Sequence, residues 1–559
     1  MRRVFKSSRS TIPLPWCDER FVAITATAAD LVRSVTLGVD LPRSPEDEFD
    51  LDRIADTKPV GLEGNSMSRA MYSVDNVPRS QLIVVVHPGA EPRGLEELAR
   101  AAGVIPRPLF GESPERLRYE ARRLRSSKKV RVPDLSVYYS IDTQEERFAE
   151  LVPSLLRLPA VDGAYVKLPA DAPGLPEADV CAALPGTPPV TTPDLSGKQK
   201  YLGAPPGGIN ATYAWTRPGG TGLDVRIIDV EREWRFTHED LLTNWGGVIG
   251  GFPANILRER NHGTAIMGIL GGDTNSFGIK GICPDTTVSG ISTRTFGMSP
   301  TAIPGTIETS AAIHQAALTL GPGDIILLEL QREGPPFVSG TKQIAVEWWP
   351  DDFDAILYAT AREILVVEAA GNGAVNLDDA VYDTPAPTFG SGWKNPFNRA
   401  NRDSGAILVG AGAPPSGFGP DRSRLDFSNF GGSVDVQGWG RKVVTTGYGC
   451  LQGGANEDRW YMDQFGGTSS ASAMIAGVLA CVQGNRLGAG KPLLIPSEAR
   501  NLLRTTGSPQ TDAPTRPATQ RIGPRPNLKD LILPPKKPHR PGVKKPRKGP
   551  NRRPHGHGH

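Results

Sequence analysis

The stretch Phe465–Gly477, FGGTSSASAMIAG, places two adjacent serines between a glycine turn and a run of small and apolar residues. Small and apolar residues continue on all faces, which predicts a buried core helix of about 14 residues, too short for a membrane span. Gly466 and Gly467 permit a sharp turn before this helix. A serine at the turn is either an ordinary N-cap or a nucleophile. In the second case, the helix N-terminus would stabilise the oxyanion of the reaction intermediate.

A candidate acid lies upstream, in the strand LDVRIID, where Asp229 ends an otherwise apolar run. Open α/β sheets place their functional sites at the carboxyl ends of the strands. A buried carboxylate is costly unless it has a partner. We therefore expect Asp229 to be paired, for example with an imidazole N–H.

His262 is the candidate base, because it opens the glycine-containing helix predicted from NHGTAIMGILGG. Histidine accepts protons near neutral pH. The alternatives in the body of the chain are less suitable, since one precedes a proline, one lies in a polar turn and one lies in the middle of a predicted helix: His87, His238 and His314.

Acid, base and serine in this chain order resemble the subtilisin-like serine peptidases. The resemblance rests on four motifs in the family's order across residues 201–510: IIDV with HEDL, NHGTAIMGIL, AAGNG and GGTSSASAMIAG. It implies an α/β, three-layer domain with a mainly parallel sheet. Runs such as DIILLELQ and EILVVEAAG, apolar on both faces and separated by helices, also favour a buried parallel sheet.

The resemblance assigns a role to each matching residue. Asp229 is the orienting acid, His262 the general base and Ser469 the nucleophile, while Asn372 in EAAGNG is the side-chain donor of the oxyanion hole. Ser470 falls on a variable position. Ala473 stands where the family usually has proline, and we expect the helix to persist because alanine is a good helix former.

The substrate strand departs from the family pattern, because LLELQ replaces small residues. Leu328, Glu329, Leu330 and Gln331 are the candidate substrate-binding residues. The preferred interpretation of Glu329 is a solvated acid at a strand end; the alternative is that Glu329 selects the substrate residue before the scissile bond.

The flanking segments predict a zymogen. Residues 81–170 alternate strands and helices as in a small α+β, ferredoxin-like unit, resembling the inhibitory propeptides of the family. Residues 171–200 are a proline-rich linker. We expect self-cleavage within 168–200, with the propeptide as intramolecular inhibitor. Residues 1–80 remain unassigned.

The distribution of charge along the chain bears on whether the protein binds nucleic acid. The formal net charge is +3, but residues 534–559 contain nine Lys or Arg and no acid, so the body is near −6. Residues 511–559 are therefore predicted to be a solvated, disordered basic tail, with binding of nucleic acid, an anionic surface or a metal as the alternative. With the solvated tail preferred, nucleic acid is an unlikely partner. We expect no catalytic cofactor or metal; structural calcium is common in the family, but no ligand set stands out.

No signal peptide or membrane span is recognisable, which favours a cytoplasmic protein, with secretion by a non-standard route as the alternative. The sequence thus predicts a serine endopeptidase acting on protein or peptide substrates. The alternative is a catalytically weakened subtilisin-like module that binds peptides or partners.

Overall fold

The computed structural model describes residues 79–533, apart from 91–92, 129, 173–183, 185, 295–307, 336–341 and 386–387. Nearly all of the unassigned region 1–80 and the final 26 residues of the predicted tail lie outside the described residues. Part of the proline-rich linker lies outside them as well.

The N-terminal part is an antiparallel sheet with helices, within the predicted unit 81–170. Its four strands are in the order β2-β3-β1-β4, and β1 is buried along its whole length because QLIVVV is almost entirely apolar. The second helix has the arginine-rich sequence PERLRYEARRLRSSK. The elements are β1 (Gln81–Val86), α1 (Arg93–Ala102), β2 (Ile105–Pro108), α2 (Pro114–Lys128), β3 (Tyr138–Asp142), α3 (Phe148–Leu155) and β4 (Val161–Lys167).

The body follows with alternating strands and helices. Its elements begin with α4 (Ala211–Ala214), β5 (Arg226–Glu231), β6 (Trp245–Gly250), α5 (Leu257–Gly271), β7 (Thr287–Ser292), α6 (Thr309–Thr319), β8 (Ile325–Leu328), β9 (Gln331–Glu333) and β10 (Gln343–Ala345). They continue with α7 (Pro350–Ala361), β11 (Leu365–Ala369), β12 (Ile407–Gly412), β13 (Val434–Trp439), β14 (Val443–Thr446), β15 (Tyr461–Phe465), α8 (Gly467–Gly488), α9 (Pro496–Thr505) and α10 (Leu528–Leu531).

Seven of these strands form one parallel sheet in the order β13-β12-β11-β8-β5-β7-β6. The chain starts this sheet at β5, adds β6 and β7 on one side, and then adds β8 and its successors on the other. The carboxyl ends of β5 and β8 therefore lie side by side, where an α/β sheet places its site.

Alternation along the strands divides the core into two layers. Ile228, Val230 and Leu328 face α6 and α7, whereas Ile227 and Leu327 face α5 and α8. This three-layer arrangement confirms the predicted α/β class with a mainly parallel sheet. Because strand residues two apart share a face, Asp229 and Glu231 both lie on the side of α5 and α8.

The N-terminal sheet covers the outer layer of helices. Its apolar residues belong to the same core as α6 and α7, and buried polar contacts join the two parts. Lys167 Nζ contacts Asp351 and lies 2.7 Å from Asp352 Oδ1, while Tyr165 donates to Asp351 over 2.9 Å. Lys167 is only 1% exposed. The two parts therefore share a desolvated interface.

Three expected element boundaries differ from the structure. The serine-containing helix α8 has 22 residues instead of about 14, because it stays buried as far as Asn485. Helix α5 begins at Leu257, so His262 lies in its second turn and does not open it. The predicted tail boundary at 511 is too early, because Arg525 is fully buried and bonds Asp421 over 2.6 Å.

Candidate active site

Ser469 lies in the first turn of α8, directly after the glycine turn. Gly467 has φ +90°, a left-handed conformation that favours glycine, and it starts the helix abruptly after β15. Ser470 points elsewhere, because its hydroxyl donates to the Trp439 carbonyl over 2.7 Å. Of the two adjacent serines, Ser469 is the one brought to a histidine.

His262 contacts Ser469 and an acid through its two ring nitrogens. Nε2 lies 3.0 Å from Ser469 Oγ, and Nδ1 contacts Oε1 of Glu231. Burial lowers the pKa of His262, which favours the neutral imidazole, while the charge of Asp229 acts in the opposite direction. A neutral ring with its proton on Nδ1 donates to Glu231 and can accept the Ser469 proton at Nε2.

The acid beside His262 is Glu231, which corrects the expectation for Asp229. Asp229 lies two residues earlier on the same face of β5, and its Oδ2 accepts a hydrogen bond from Trp234 Nε1 over 2.8 Å. The strand continues beyond the expected end at Asp229, so Glu231 occupies the position level with the imidazole. The i, i+2 spacing of two acids in IIDVE was the available sequence signal.

A third buried carboxyl, Glu329, completes the cluster. The ladder between β5 and β8 ends at Val230 and Leu328, so Glu231 and Glu329 come next on neighbouring strands. Glu329 is fully buried, and Ser472 Oγ lies 2.8 Å from its Oε1. The preferred interpretation of Glu329 as a solvated acid was therefore wrong.

The surroundings raise the pKa of all three acids well above the usual range. Burial is the largest cause for Asp229, Glu231 and Glu329. For Glu329 the charges of Asp229 and Glu231 raise the pKa further, and hydrogen bonds from Ser472 and Ser469 lower it. Three carboxyls this close cannot all be ionised. The negative charge is best placed on Glu231, which faces the His262 Nδ1–H.

The hydroxyl contacts around Ser472 accommodate a neutral Glu329. Ser472 has one proton but three acceptors nearby: Glu329 Oε1, the Thr468 carbonyl at 2.8 Å and the Ser469 carbonyl at 3.0 Å. If Ser472 donates to a carbonyl of its own helix, a protonated Glu329 can donate to Ser472 Oγ. Every proton in this group then has an acceptor.

Asn372 follows β11 and lies against the start of α8. Its Oδ1 accepts from Thr468 N over 3.0 Å and from Thr468 Oγ1 over 2.9 Å. Its backbone N–H donates to Gln331 Oε1 over 2.8 Å. The carbonyl arm of the amide is thereby fixed beside the serine turn, and Nδ2 is the arm able to donate.

The predicted substrate strand carries a segment of the chain itself. The backbone N–H and C=O of Gln331 exchange hydrogen bonds of 2.7 and 2.8 Å with Asp171, in antiparallel pairing. Leu328, Glu329 and Leu330 are fully buried, and Gln331 is nearly so. Residues 170–171 therefore lie along the strand expected to receive substrate.

The remaining histidines of this part of the chain take no part in the site. His238 Nε2 contacts the Trp460 carbonyl at 2.9 Å, and His314 packs edge-on against Phe110. Among the residues described by the structure, no group of three or more His, Cys, Asp or Glu could hold a metal ion. Within those same residues, no helix is both long and apolar enough to cross a bilayer.

The sequence model of the subtilase family, Peptidase S8, matches residues 239–530, about half of the chain. The chain belongs to the subtilase family. The matched region contains His262, Asn372 and Ser469 but begins after β5, so the acid of this subtilase lies outside it.

Its relatives are named as proteases. The chain is 25% identical over 348 residues to an extracellular protease of Xanthomonas campestris and 29% identical over 265 residues to alkaline elastase YaB of a Bacillus species. These matches cover 55% and 47% of this chain, and 51% and 55% of the relatives. The chain thus spans about half the length of the curated relatives it matches.

Fervidolysin of Fervidobacterium pennivorans, described as a keratinolytic enzyme related to subtilisin, is a similar solved structure. It has a TM-score of 0.48 and 16% identity, and the match covers 82% of this chain and 61% of that one.

Proposed function

We propose that this subtilase is a serine endopeptidase that hydrolyses peptide bonds through an acyl-enzyme. The observation that carries the proposal is the 3.0 Å contact between Ser469 Oγ and His262 Nε2, with Glu231 at the other ring nitrogen. Serine hydroxyl is a weak nucleophile until a base accepts its proton. The family match and the protease names of the relatives support the same chemistry.

In the first half-reaction, His262 Nε2 takes the Ser469 proton while Oγ forms a bond to the substrate carbonyl carbon. Glu231 holds the imidazole through Nδ1–H and stabilises the imidazolium that results. The tetrahedral intermediate collapses by breaking its C–N bond, and the leaving amine takes the proton from Nε2. Water then repeats the sequence on the ester and releases the acid product.

The oxyanion would be stabilised by two donors at the start of α8. The backbone N–H of Ser469 lies in the first turn, where helix N–H groups have no intrahelical acceptor. Asn372 Nδ2 is the second donor, because its carbonyl arm is already bonded to Thr468. Charge develops at this point only in the tetrahedral state, which is what makes the two donors catalytic.

We also propose that residues 81–170 act as an intramolecular inhibitor removed by self-cleavage within 168–200. The antiparallel pairing of Asp171 with Gln331 supports this, since an added strand is how proteins commonly bind extended peptides. An extended peptide in this antiparallel register continues from Gln331 toward Glu329 and the serine, so the cleaved bond would lie on the C-terminal side of Asp171.

A fluorophosphonate probe tests the proposed activity, because it forms a covalent bond only with an activated serine. We expect wild-type protein to be labelled and Ser469→Ala to remain unlabelled. Ser470→Ala is the matched control and should be labelled like wild type. Absence of labelling in wild type after self-processing would instead favour a subtilase module that binds peptides without cleaving them.

A further inference from the structure

Arg232 directly follows Glu231 in the chain and contacts residues 170–171, the segment that pairs with Gln331. Its guanidinium donates to Asp171 Oδ1 over 2.6 Å through Nη2, which also contacts the Ala170 carbonyl. The arginine side chain is 7% exposed, whereas that of Asp171 is 57% exposed. The nearly buried guanidinium of Arg232 therefore binds the carboxylate of Asp171, which is largely exposed to solvent.

Contacts with residues outside this segment hold Arg232 in position. Arg232 Nη1 donates to Glu259 Oε1 over 2.7 Å, and its backbone carbonyl accepts from Ser292 Oγ over 2.7 Å. Arg294 also bonds Glu259, over 2.7 Å. The guanidinium would therefore remain in place when another peptide replaced residues 170–171.

The charges of this group favour an acidic ligand. Among the side chains joined by these contacts, Arg232 and Arg294 are two cations that share the single carboxylate of Glu259. Asp171 supplies the second negative charge and balances the group. When a substrate replaces residues 170–171, an acidic side chain at the same position would again contact the Arg232 guanidinium.

The pairing register gives the place of that position relative to the cleaved bond. Asp171 lies opposite Gln331 in antiparallel pairing. For an extended peptide in that register, the residue two positions further along lies opposite Glu329, at the level of Glu231 and the serine. If its carbonyl is attacked, the acidic residue is the third before the scissile bond.

We propose that Arg232 is a specificity-determining residue that selects substrates with Asp or Glu at the third position before the cleaved bond. This inference rests on the proposed peptidase function and adds the substrate class to it. It assigns to Arg232 a contact with substrate and no part in the bond-breaking steps.

The test uses synthetic peptides of the chain's own sequence 164–180, AYVKLPADAPGLPEADV, with Pro173→Leu so that the residue opposite Glu329 has a backbone N–H, and with Asp, Asn or Lys at the place of Asp171. With enzyme expressed from the whole sequence and allowed to process itself, we expect kcat/KM to fall in that order, with Asp about five-fold above Asn, as for a partly exposed charged pair. The effect should lie mainly in KM. It should shrink at about 1 M salt, which screens exposed charges.

Two variants separate recognition from a structural role. Arg232→Gln should remove the difference between the Asp and Asn peptides, and Arg232→Glu should make the Lys peptide the best of the three. Arg258→Gln, which alters an exposed arginine of α5, should keep the wild-type order. If either Arg232 variant fails to fold, the salt dependence of the wild-type preference still decides.

The outcomes distinguish this inference from the function on which it rests. Equal hydrolysis of all three peptides by wild type, at low and high salt, overturns the role of Arg232 and leaves the peptidase intact. If wild type cleaves none of them and is not labelled by the fluorophosphonate, both proposals fail.

Discussion

The imidazole of His262 meets the carboxylate of Glu231, while Asp229, two residues earlier on the same strand, bonds Trp234. Both acids lie on the face of β5 turned toward α5 and α8. Because β5 extends as far as Glu231, it is the carboxyl of Glu231 that contacts His262. Each acid can be neutralised separately without changing the shape of its side chain much.

Glu231→Gln should lower kcat by about a thousand-fold or more, because the amide cannot stabilise the imidazolium and can hold the wrong tautomer. Asp229→Asn is the matched control, since an amide oxygen can still accept from Trp234; we expect less than about a ten-fold loss. The measurement is hydrolysis of one peptide substrate by both variants. A larger loss for Asp229→Asn would return the orienting role to Asp229.

Self-cleavage should depend on Ser469 alone of the two adjacent serines. Ser469→Ala should stay at full length on a denaturing gel, whereas wild type should give fragments cut within 168–200. Ser470→Ala should process like wild type, because the Ser470 hydroxyl bonds the Trp439 carbonyl. Intact-mass measurement locates the cut. Identical migration of wild type and Ser469→Ala would contradict the zymogen proposal.

Glu329 should make the protein less stable as pH rises. Burial raises the pKa of Glu329 well above its usual value, so the folded state keeps a proton that the unfolded chain loses near pH 4.5. Stability from this group is full below that pH and is lost as pH rises toward the folded-state pKa. The acids that face Glu329 from β5, Asp229 and Glu231, act in the same direction.

Glu329→Gln should therefore gain stability relative to wild type as pH rises from about 4.5 toward neutral, since glutamine cannot ionise. Melting temperatures of both proteins across this pH range measure the difference. Glu97→Gln, on the exposed side of α1, is the control and should follow wild type. A difference between Glu329→Gln and wild type that stays constant with pH would show that Glu329 is ionised throughout.

Lys167→Met should weaken the contact between the N-terminal sheet and the body. Removing the cation leaves Asp351 and Asp352 buried with less compensation, although Arg332 still contacts Asp352. Breaking one partner of a buried pair costs about 3–5 kcal/mol. Tested in the Ser469→Ala background, this variant should show faster limited proteolysis of the N-terminal part.

Lys198→Met removes an exposed lysine and should leave the rate of that proteolysis unchanged. Equal protection of the Lys167 and Lys198 variants would mean that the apolar contacts alone hold the two parts together.

Signals in the sequence were enough to predict the fold class and to propose His262 and Ser469, two of the three residues that meet in the candidate site. Short apolar runs such as IILL and LVVEA favour strands covered on both sides, and the glycine turn before Ser469 favours a helix start. The apolar runs and the glycine turn are local signals, since each depends on residues close together in the chain. The order of the four motifs along the chain then favoured His262 as the base.

Which acid contacts His262, and whether Glu329 is exposed to water, could not be predicted from the sequence. Both questions depend on how α5 and α8 pack over the strand ends, because alternation places Asp229 and Glu231 on one face and cannot distinguish them. Glu329 is buried because Ser472, 143 residues away in the chain, lies against it. The contact of Arg232 with Asp171 likewise depends on a segment distant in the chain that pairs with Gln331.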